Sequence, residues 1–250
     1  VMTAGDICYI RQGNYHEVIS MNNNDGLESA PLIFSAYPNE RVLMDGTVQL
    51  ESSWEVHTGN IWKTTLDFPI WQLFSNREEM VMARWPNASF EDGSIWDKEN
   101  HWGHGTIDED ENAYSNGTFI DEPHGMVDLS LSGLDITGAI AILNVGSYKT
   151  WTRRVLTHSG NTFTYDSVPE WKTKHHDYFL EGKLSLLDTE GEWFLDTLNN
   201  ELYFWPPDNS NPNNLEIRGK VQSYAFDISN SDYIEIQNLE FFGTTFKITN

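Results

Sequence analysis

Basic residues are few in this chain of 250 residues, which has 15 Lys and Arg against 38 Asp and Glu and a net charge of −23. Such a surface repels phosphate groups, so nucleic acid is not expected as a partner. The excess of carboxylates favours solubility, and it leaves Ca²⁺, which prefers oxygen ligands, open as a bound ion. The sequence contains no EF-hand loop and no Gly-Asp nonapeptide repeat, so it identifies no metal site and no cofactor.

Cysteine and long apolar runs are also scarce. Cys8 alone cannot form an internal disulfide, and it is predicted to be a small buried side chain within the apolar run 7–10. No stretch is long and apolar enough to span a bilayer, and no signal peptide is recognisable, so membrane insertion is not predicted. The chain opens at Val1, and we expect it to be trimmed there. The motifs of serine esterases, phosphate-binding loops and dinucleotide-binding folds are absent.

Aromatic residues, in contrast, are abundant, with 10 Trp, 10 Tyr and 13 Phe. Strand-forming residues recur in short runs, and no segment keeps the 3.6-residue apolar period of a long amphipathic helix. The runs in 7–10, 31–37 and 42–47 are nearly continuous in apolar residues, as expected for strands buried in a parallel stack. The sequence therefore predicts an all-β fold.

The last thirty residues contain a repeat. Ile228-Ser229-Asn230 and Ile248-Thr249-Asn250 have matching character and lie 20 residues apart. A unit of this length with three short strands fits one turn of a β-solenoid, in which the same strand positions stack on one another. We therefore expect the asparagines to meet at one corner of the stack, where their side-chain amides can pair.

The middle of the chain, 48–220, lacks this period. Its runs 191–196 and 201–205 flank Asn199-Asn200, which predicts a hairpin with positive φ in the turn. We interpret 1–47 as the first turns of a solenoid, 48–220 as an inserted β-rich subdomain, and 221–250 as the solenoid resumed. Because the last repeat has only just begun at Asn250, the chain is expected to continue beyond it.

The N-terminal segment has a spaced motif, Ala4-Gly5-Asp6-Ile7-Cys8-Tyr9-Ile10-Arg11-Gln12-Gly13-Asn14-Tyr15, which 31–37 and 43–47 extend. This motif resembles the opening of right-handed parallel β-helix proteins, among them polysaccharide lyases of the chondroitinase B and alginate lyase type. The segments 83–87, 191–196 and 202–206 resemble parts of large β-helix proteins of environmental bacteria, many of them similar to glycoside hydrolases. The resemblance implies a right-handed parallel β-helix. In such lyases the catalytic Lys and Arg lie on later turns, so the resemblance assigns no catalytic residue here.

A basic, aromatic segment between 149 and 176 is the chemically most unusual part of the sequence. Arginine and lysine could hold the carboxylate or sulfate groups of an acidic glycan, while tryptophan stacks on a sugar ring. The alternative is that these side chains merely alternate outward along strands. Arg84 and Trp85 also allow two interpretations. They could be a sugar-stacking pair, or a core Trp beside a solvated Arg. The candidate residues of the segment are Lys149, Trp151, Arg153, Arg154, Trp171, Lys172, Lys174 and His175.

These features predict a secreted or cell-surface carbohydrate-active protein, a lyase or glycoside hydrolase that binds an acidic polysaccharide along the solenoid. The alternative is a non-catalytic adhesin, or a structural subunit of an extracellular fibre or coat, which self-associates through the open end of the solenoid. Carboxylate pairs such as Glu190 and Glu192 could serve as the acid and base of a glycosidase. The distance between such carboxylates in space cannot be read from the sequence. The sequence therefore leaves open whether the protein is an enzyme.

Overall fold

A computed structural model describes residues 2–51, 53–105, 117–146, 149–169 and 176–249. In these ranges strands predominate and the helical segments are short, so the predicted all-β class is confirmed. The helical segments are a four-residue α-helix, α1 (Lys98–His101), and 3₁₀ turns at Ser94–Trp96, Leu129–Leu131, Leu184–Leu186, Pro207–Asn209 and Pro212–Asn214. None of the helices in the described ranges has the length and apolarity that a membrane crossing requires.

The strands are numbered in chain order. They are β1 (Ile7–Ile10), β2 (Gly13–Tyr15), β3 (Ile19–Asn22), β4 (Leu32–Ala36), β5 (Val42–Asp45), β6 (Thr47–Gln49), β7 (Glu55–Thr58), β8 (Ile61–Thr65), β9 (Leu73–Ser75), β10 (Glu78–Met82), β11 (Arg84–Trp85), β12 (Gly103–Gly105), β13 (Thr118–Glu122), β14 (Ile140–Gly146), β15 (Lys149–Ser159), β16 (Thr162–Tyr165), β17 (Asp177–Glu181), β18 (Glu192–Asp196), β19 (Glu201–Phe204), β20 (Ile217–Lys220), β21 (Tyr224–Ser229), β22 (Ile234–Gln237), β23 (Glu240–Phe242) and β24 (Thr245–Thr249).

The chain divides into two compact units. Unit 1 consists of Val1–Leu50, Ile70–Gln72 and Ile217–Asn250, and unit 2 of Glu51–Pro69 and Leu73–Glu216. The sequence predicts an insertion over 48–220. The short segment Ile70–Gln72, which falls inside that predicted insertion, belongs to unit 1.

Unit 1 contains three sheets of three parallel strands each, in the orders β1-β4-β22, β2-β5-β23 and β3-β21-β24. The chain visits the three sheets in the same order three times, first with β1, β2 and β3, then with β4, β5 and β21, and last with β22, β23 and β24. The apolar side chains of these strands form one buried cluster that includes Leu32, Val42, Ala225 and Phe226. Burial on successive strands explains why the runs in 31–37 and 42–47 are nearly continuous in apolar residues.

The 20-residue repeat of the sequence corresponds to the way two parallel strands pair, since equivalent residues of the repeat lie opposite each other. Strands β21 and β24 pair with Ile228 opposite Ile248 and Ser229 opposite Thr249. At the corner that follows, the side-chain Nδ2 of Asn230 donates to Oδ1 of Asn22 at 3.2 Å. Asn230 thus pairs with an asparagine that follows β3, whereas the expected pairing of Asn230 with Asn250 is not tested, because Asn250 lies outside the described residues.

Gly46 occupies a position in unit 1 where no side chain fits. A Cβ atom placed there would lie 2.5 Å from the carbonyl oxygen of Gly243 and 2.8 Å from that of Gln222. We expect Gly46→Ala to lower the free energy of unfolding by about 1–3 kcal/mol, because overpacking forces the backbone apart. Chemical denaturation measures this change. A free energy of unfolding equal to that of the unsubstituted protein would show that these segments separate without cost.

Unit 2 contains a closed barrel of six strands. The order is β17-β12-β13-β16-β15-β14, every pair is antiparallel, and the pairing of β14 with β17 closes the ring. Closure leaves this sheet without free edges. Aromatic rings fill part of the core of unit 2: Phe119 stacks on Phe163 with centroids 5.3 Å apart, and both rings contact Tyr178.

Six strands of unit 2 are neighbours within a second, larger sheet, in the order β9-β10-β18-β19-β8-β7, and among these six only β10 and β18 run parallel. Strands β18 and β19 form the hairpin that the sequence predicts around Asn199-Asn200. Asn200 has a φ of 56°, and Oδ1 of Asp196 accepts hydrogen bonds from the backbone N–H groups of Leu198 and Asn199. The short strand β11 pairs with β17, so the chain enters the barrel directly after β10.

Candidate functional site

Three of the predicted ligand-binding residues lie together on strand β15. Lys149, Trp151 and Arg153 alternate along the strand, so their side chains share one face. The Nζ atom of Lys149 lies 5.6 Å from the centroid of the Trp151 ring, and Cζ of Arg153 lies 5.7 Å from it. We call these three residues the basic face. Their convergence places two cations around one indole.

The basic face is anchored by backbone contacts. Nε of Arg153 donates to the carbonyl of Asp166 at 3.0 Å, and Nη1 donates to the carbonyl of Thr152 at 2.9 Å. Trp151 packs against the buried core of unit 2. Lys149 is exposed. These contacts hold the indole and the guanidinium in place.

The other predicted residues of this segment do not join the basic face. Arg154 points to the opposite side of β15, where its Nη1 donates to the carbonyl of Gly138 at 3.0 Å. Trp171, Lys172, Lys174 and His175 lie outside the described residues.

Arg84 and Trp85 are placed in the interior. The Arg84 side chain is only 2% exposed, its Nε donates to the carbonyl of Pro86, and its Nη2 donates to that of His101. Trp85 packs on the core of unit 2 with its ring 6.0 Å from that of Tyr178. The alternative of a solvated arginine is therefore wrong. At 2% exposure, Arg84 is not accessible to a dissolved sugar.

Burial shifts the pKa values of Arg84 and of two carboxyl groups near it. It lowers the pKa of the Arg84 guanidinium to about 10, although two carboxylates favour the cation. One of them, Glu181, lies opposite Arg84 in the β11–β17 pairing, and burial raises its pKa above the ordinary value. The other, Glu192, is 1% exposed, and burial raises its pKa to about 8. Burial therefore favours the protonated form of Glu192.

Glu192 lines a cleft of about 620 Å³ in unit 2. Parts of four segments form the walls: the β9–β10 hairpin, residues 88–91, residues 190–192 and residues 207–215. Six acidic residues line the cleft, while none of its lining residues is Lys, Arg or His. These acids are Glu78, Glu79, Glu91, Glu190, Glu192 and Asp208.

The cleft was not visible in the sequence. Its walls come from segments up to 140 positions apart, between Ser75 and Leu215, and acidic residues are too numerous in this chain for any pair to stand out. Glu190 and Glu192, the pair considered as acid and base, lie in different environments. Glu190 is exposed and its Oε2 accepts from the backbone N–H of Asp208, whereas Glu192 accepts from the backbone N–H groups of Arg84 and Asp188.

A third polar cluster holds the α1 segment to the barrel. Nζ of Lys98 lies 2.5 Å from Oδ2 of Asp177, and Nδ1 of His104 lies 3.1 Å from Oδ1 of the same carboxylate. The other ring nitrogen of His104 lies 3.1 Å from the carbonyl oxygen of Lys98. Since these groups contact one another, the cluster acts as a cross-link. Across the described ranges, no group of three His, Cys, Asp or Glu side chains is arranged to hold a metal ion.

Comparisons with known proteins indicate the fold alone. No family model and no curated protein matches the chain. Among solved structures, a glycoside hydrolase matches with a TM-score of 0.64 and 17% identity, over 96% of this chain and 43% of its own length. XylC in complex with xylose matches with a TM-score of 0.41 and 15% identity, over 98% of this chain and 31% of XylC. A tailspike, Gp54 of Acinetobacter baumannii bacteriophage AP22 in complex with a capsular saccharide, matches with a TM-score of 0.20 and 10% identity. The match covers 97% of this chain and 31% of the tailspike.

Only the first of these structures is close enough to support an argument. It shares the fold of this chain, which spans less than half of its length.

Proposed function

We propose that this chain is part of an extracellular carbohydrate-active protein, a glycoside hydrolase or polysaccharide lyase, and that its basic face binds an acidic polysaccharide. The observation that carries the proposal is the convergence of Lys149 and Arg153 on the ring of Trp151 in a chain whose net charge is −23. Positive charge gathered around an aromatic ring suits a ligand that is both anionic and ring-shaped.

The chemistry of the basic face matches the groups of such a ligand. The guanidinium of Arg153 has five N–H donors, of which two donate to backbone carbonyls, and the ammonium of Lys149 adds a second positive charge beside the ring. The remaining N–H groups of Arg153 can donate to a carboxylate or sulfate. Such charge-assisted hydrogen bonds are about twice as strong as hydrogen bonds between neutral groups. The indole supplies apolar surface for the sugar ring.

The fold supports the same proposal. We infer that the three parallel sheets of unit 1 are the first turns of a right-handed parallel β-helix, because the chain visits them in a constant order. Stacked turns present a long surface that suits an extended polymer. The fold shared with a glycoside hydrolase is consistent with this use, although a fold by itself does not determine the reaction.

The proposal predicts that charge on the basic face governs affinity. The double variant Lys149→Gln/Arg153→Gln should bind chondroitin sulfate or alginate about tenfold or more weakly, because each charge-assisted hydrogen bond contributes on the order of 1.5–3 kcal/mol. Isothermal titration calorimetry measures this, with dextran as the neutral probe. The control is Arg154→Gln, which removes one positive charge from the opposite side of β15, as the single variant Arg153→Gln does from the basic face, and it should leave affinity within about twofold.

Two results would contradict this proposal: equal binding of dextran and the acidic glycans, or an equal loss in the Arg154→Gln control. The products of a digest then identify the reaction. New reducing ends accompanied by ultraviolet absorbance indicate a lyase, whereas reducing ends alone indicate a hydrolase. Tight binding without cleavage would favour the non-catalytic adhesin.

A further inference from the structure

The acidic cleft of unit 2 differs from the basic face in location and in charge. Its volume of about 620 Å³ lies within the range of small-molecule sites, roughly 300–1,000 Å³. Because its lining includes six acidic residues and no basic one, it repels the acidic glycans that suit the basic face. A ligand of this cleft must therefore be neutral or positively charged.

The carboxyl groups of the cleft offer acceptors on two levels. Glu192 lies at 1% exposure, and its two oxygens accept from the backbone N–H groups of Arg84 at 3.2 Å and Asp188 at 3.3 Å. Glu78 and Glu91, in contrast, are exposed. The cleft thus combines a rigid carboxyl group with outer carboxylates that can reach a ligand.

A bare metal ion does not suit this arrangement. A cation site needs several oxygen ligands converging at about 2.0–2.6 Å from one point. The residues that the structure describes, which include the whole lining of the cleft, contain no group of three acidic or metal-binding side chains arranged in that way. The acceptors are spread over the walls, so they suit a ligand whose donors are spread over its surface.

One aromatic side chain lines the cleft and packs against a second that lies outside its lining. Phe90 lines the cleft and is 38% exposed, and its ring contacts that of Trp96, which is 77% exposed, with centroids 6.3 Å apart. The loop that carries Phe90 is tied together, because the backbone N–H of Ser89 donates to Oγ of Ser94 at 2.8 Å. Exposed rings on a rigid loop are suited to stacking on the apolar face of a sugar.

We propose that this cleft binds a glycan that carries free amino groups, such as an oligomer of glucosamine. Protonated amino groups neutralise the carboxylates, the hydroxyl groups of the sugar donate to the remaining acceptors, and Phe90 stacks on a sugar ring. The ligand class is opposite in charge to that of the basic face, so this site is independent of the function proposed above.

Calorimetric titration with two trisaccharides of equal length tests the proposal. One is the trimer of glucosamine, with free amino groups, and the other is the trimer of N-acetylglucosamine, whose acetyl groups remove the positive charges. We expect the full chain to bind the glucosamine trimer about tenfold or more tightly, because charge-assisted hydrogen bonds are about twice as strong as neutral ones.

Two double variants then locate the binding. Glu78→Gln/Glu91→Gln removes two exposed carboxylates of the cleft, and Glu28→Gln/Glu99→Gln removes two exposed carboxylates that do not line it, so both variants have the same net charge. We expect a loss of about tenfold in the first variant and less than about twofold in the second. Far-ultraviolet circular dichroism verifies that both variants fold.

Three outcomes would overturn the proposal. Equal affinity for the two trimers would mean that charge does not select the ligand. An equal loss in both double variants would mean that the glycan follows the overall negative charge of the protein. No measurable binding of the glucosamine trimer would mean that the cleft is not a site for it. None of these outcomes affects the test of the basic face, which uses other probes and other variants.

Discussion

Replacement of Asp45 by alanine is expected to lower the free energy of unfolding by about 3–5 kcal/mol, because it removes the buried carboxylate of an ion pair with Arg218. Asp45 is 1% exposed, and its Oδ2 accepts from Nη2 of Arg218 at 2.8 Å. Its Oδ1 accepts from the backbone N–H of Thr47 at 2.8 Å and from the Thr47 hydroxyl at 2.6 Å. The same carboxylate thus pairs with the cation and shapes the turn that follows β5. Urea denaturation measures the change.

An exposed ion pair of the same unit supplies the control. Asp227 and Lys247 lie 3.3 Å apart, with 36% and 41% of their side chains exposed. Asp227→Ala should cost no more than about 1 kcal/mol, since water screens such pairs. The double variant Asp45→Ala/Arg218→Met should recover part of the loss, because it replaces the remaining cation of the pair by an apolar side chain. If Asp45→Ala costs no more than Asp227→Ala, the buried pair is not a major source of stability in unit 1.

Glu192 is expected to make the protein less stable as pH rises. Its pKa is raised by burial from 4.5 to about 8 in the folded protein. Between these values the unfolded chain has released the proton that the folded chain retains, so the free energy of unfolding falls with increasing pH. Glu192→Gln removes this dependence. The stability of the variant relative to the unsubstituted protein should therefore rise by on the order of 3–5 kcal/mol from about pH 5 to about pH 8.

Glu201→Gln provides a control of opposite sign. Hydrogen bonds from Tyr203 and Lys63 lower the pKa of Glu201 below its ordinary value. This carboxylate stabilises the folded protein above its ordinary pKa, and the stabilisation is lost as the pH falls through the lowered value. The substitution should therefore cost stability at neutral pH and cost less in acid. The difference in free energy of unfolding between Glu192→Gln and the unsubstituted protein could instead stay constant with pH. That result would show that the pKa of Glu192 is not raised in the folded protein.

The parts of the fold that the sequence predicted depend on local or periodic patterns. Short apolar runs indicated strands, the pair Asn199-Asn200 indicated the β18–β19 hairpin, and the 20-residue repeat indicated which residues of β21 and β24 are opposite each other. These features follow from turn chemistry and from the spacing of strands that stack on one another. Neither needs knowledge of distant parts of the chain.

The closed barrel could not be predicted in this way. Its strands are joined by pairings such as Ile140 with Glu181 and His104 with Glu122, which lie far apart in the sequence and share no repeat. Each strand has only the common alternation of inward and outward side chains, which many partners would satisfy. The choice among those partners depends on how the whole core packs.

The sequence by itself determined the all-β class, the acidic surface, the periodic strands of unit 1 and the presence of basic and aromatic residues on β15. Only the tertiary structure decided which of them act together. Alternation along one strand brought Lys149, Trp151 and Arg153 to one face, whereas burial removed Arg84 from any role at the surface. The acidic cleft arose from segments between Ser75 and Leu215 that meet only after folding. The physical reason is that strand character is a local property, whereas burial, charge proximity and cavities are set by contacts between residues far apart in the chain.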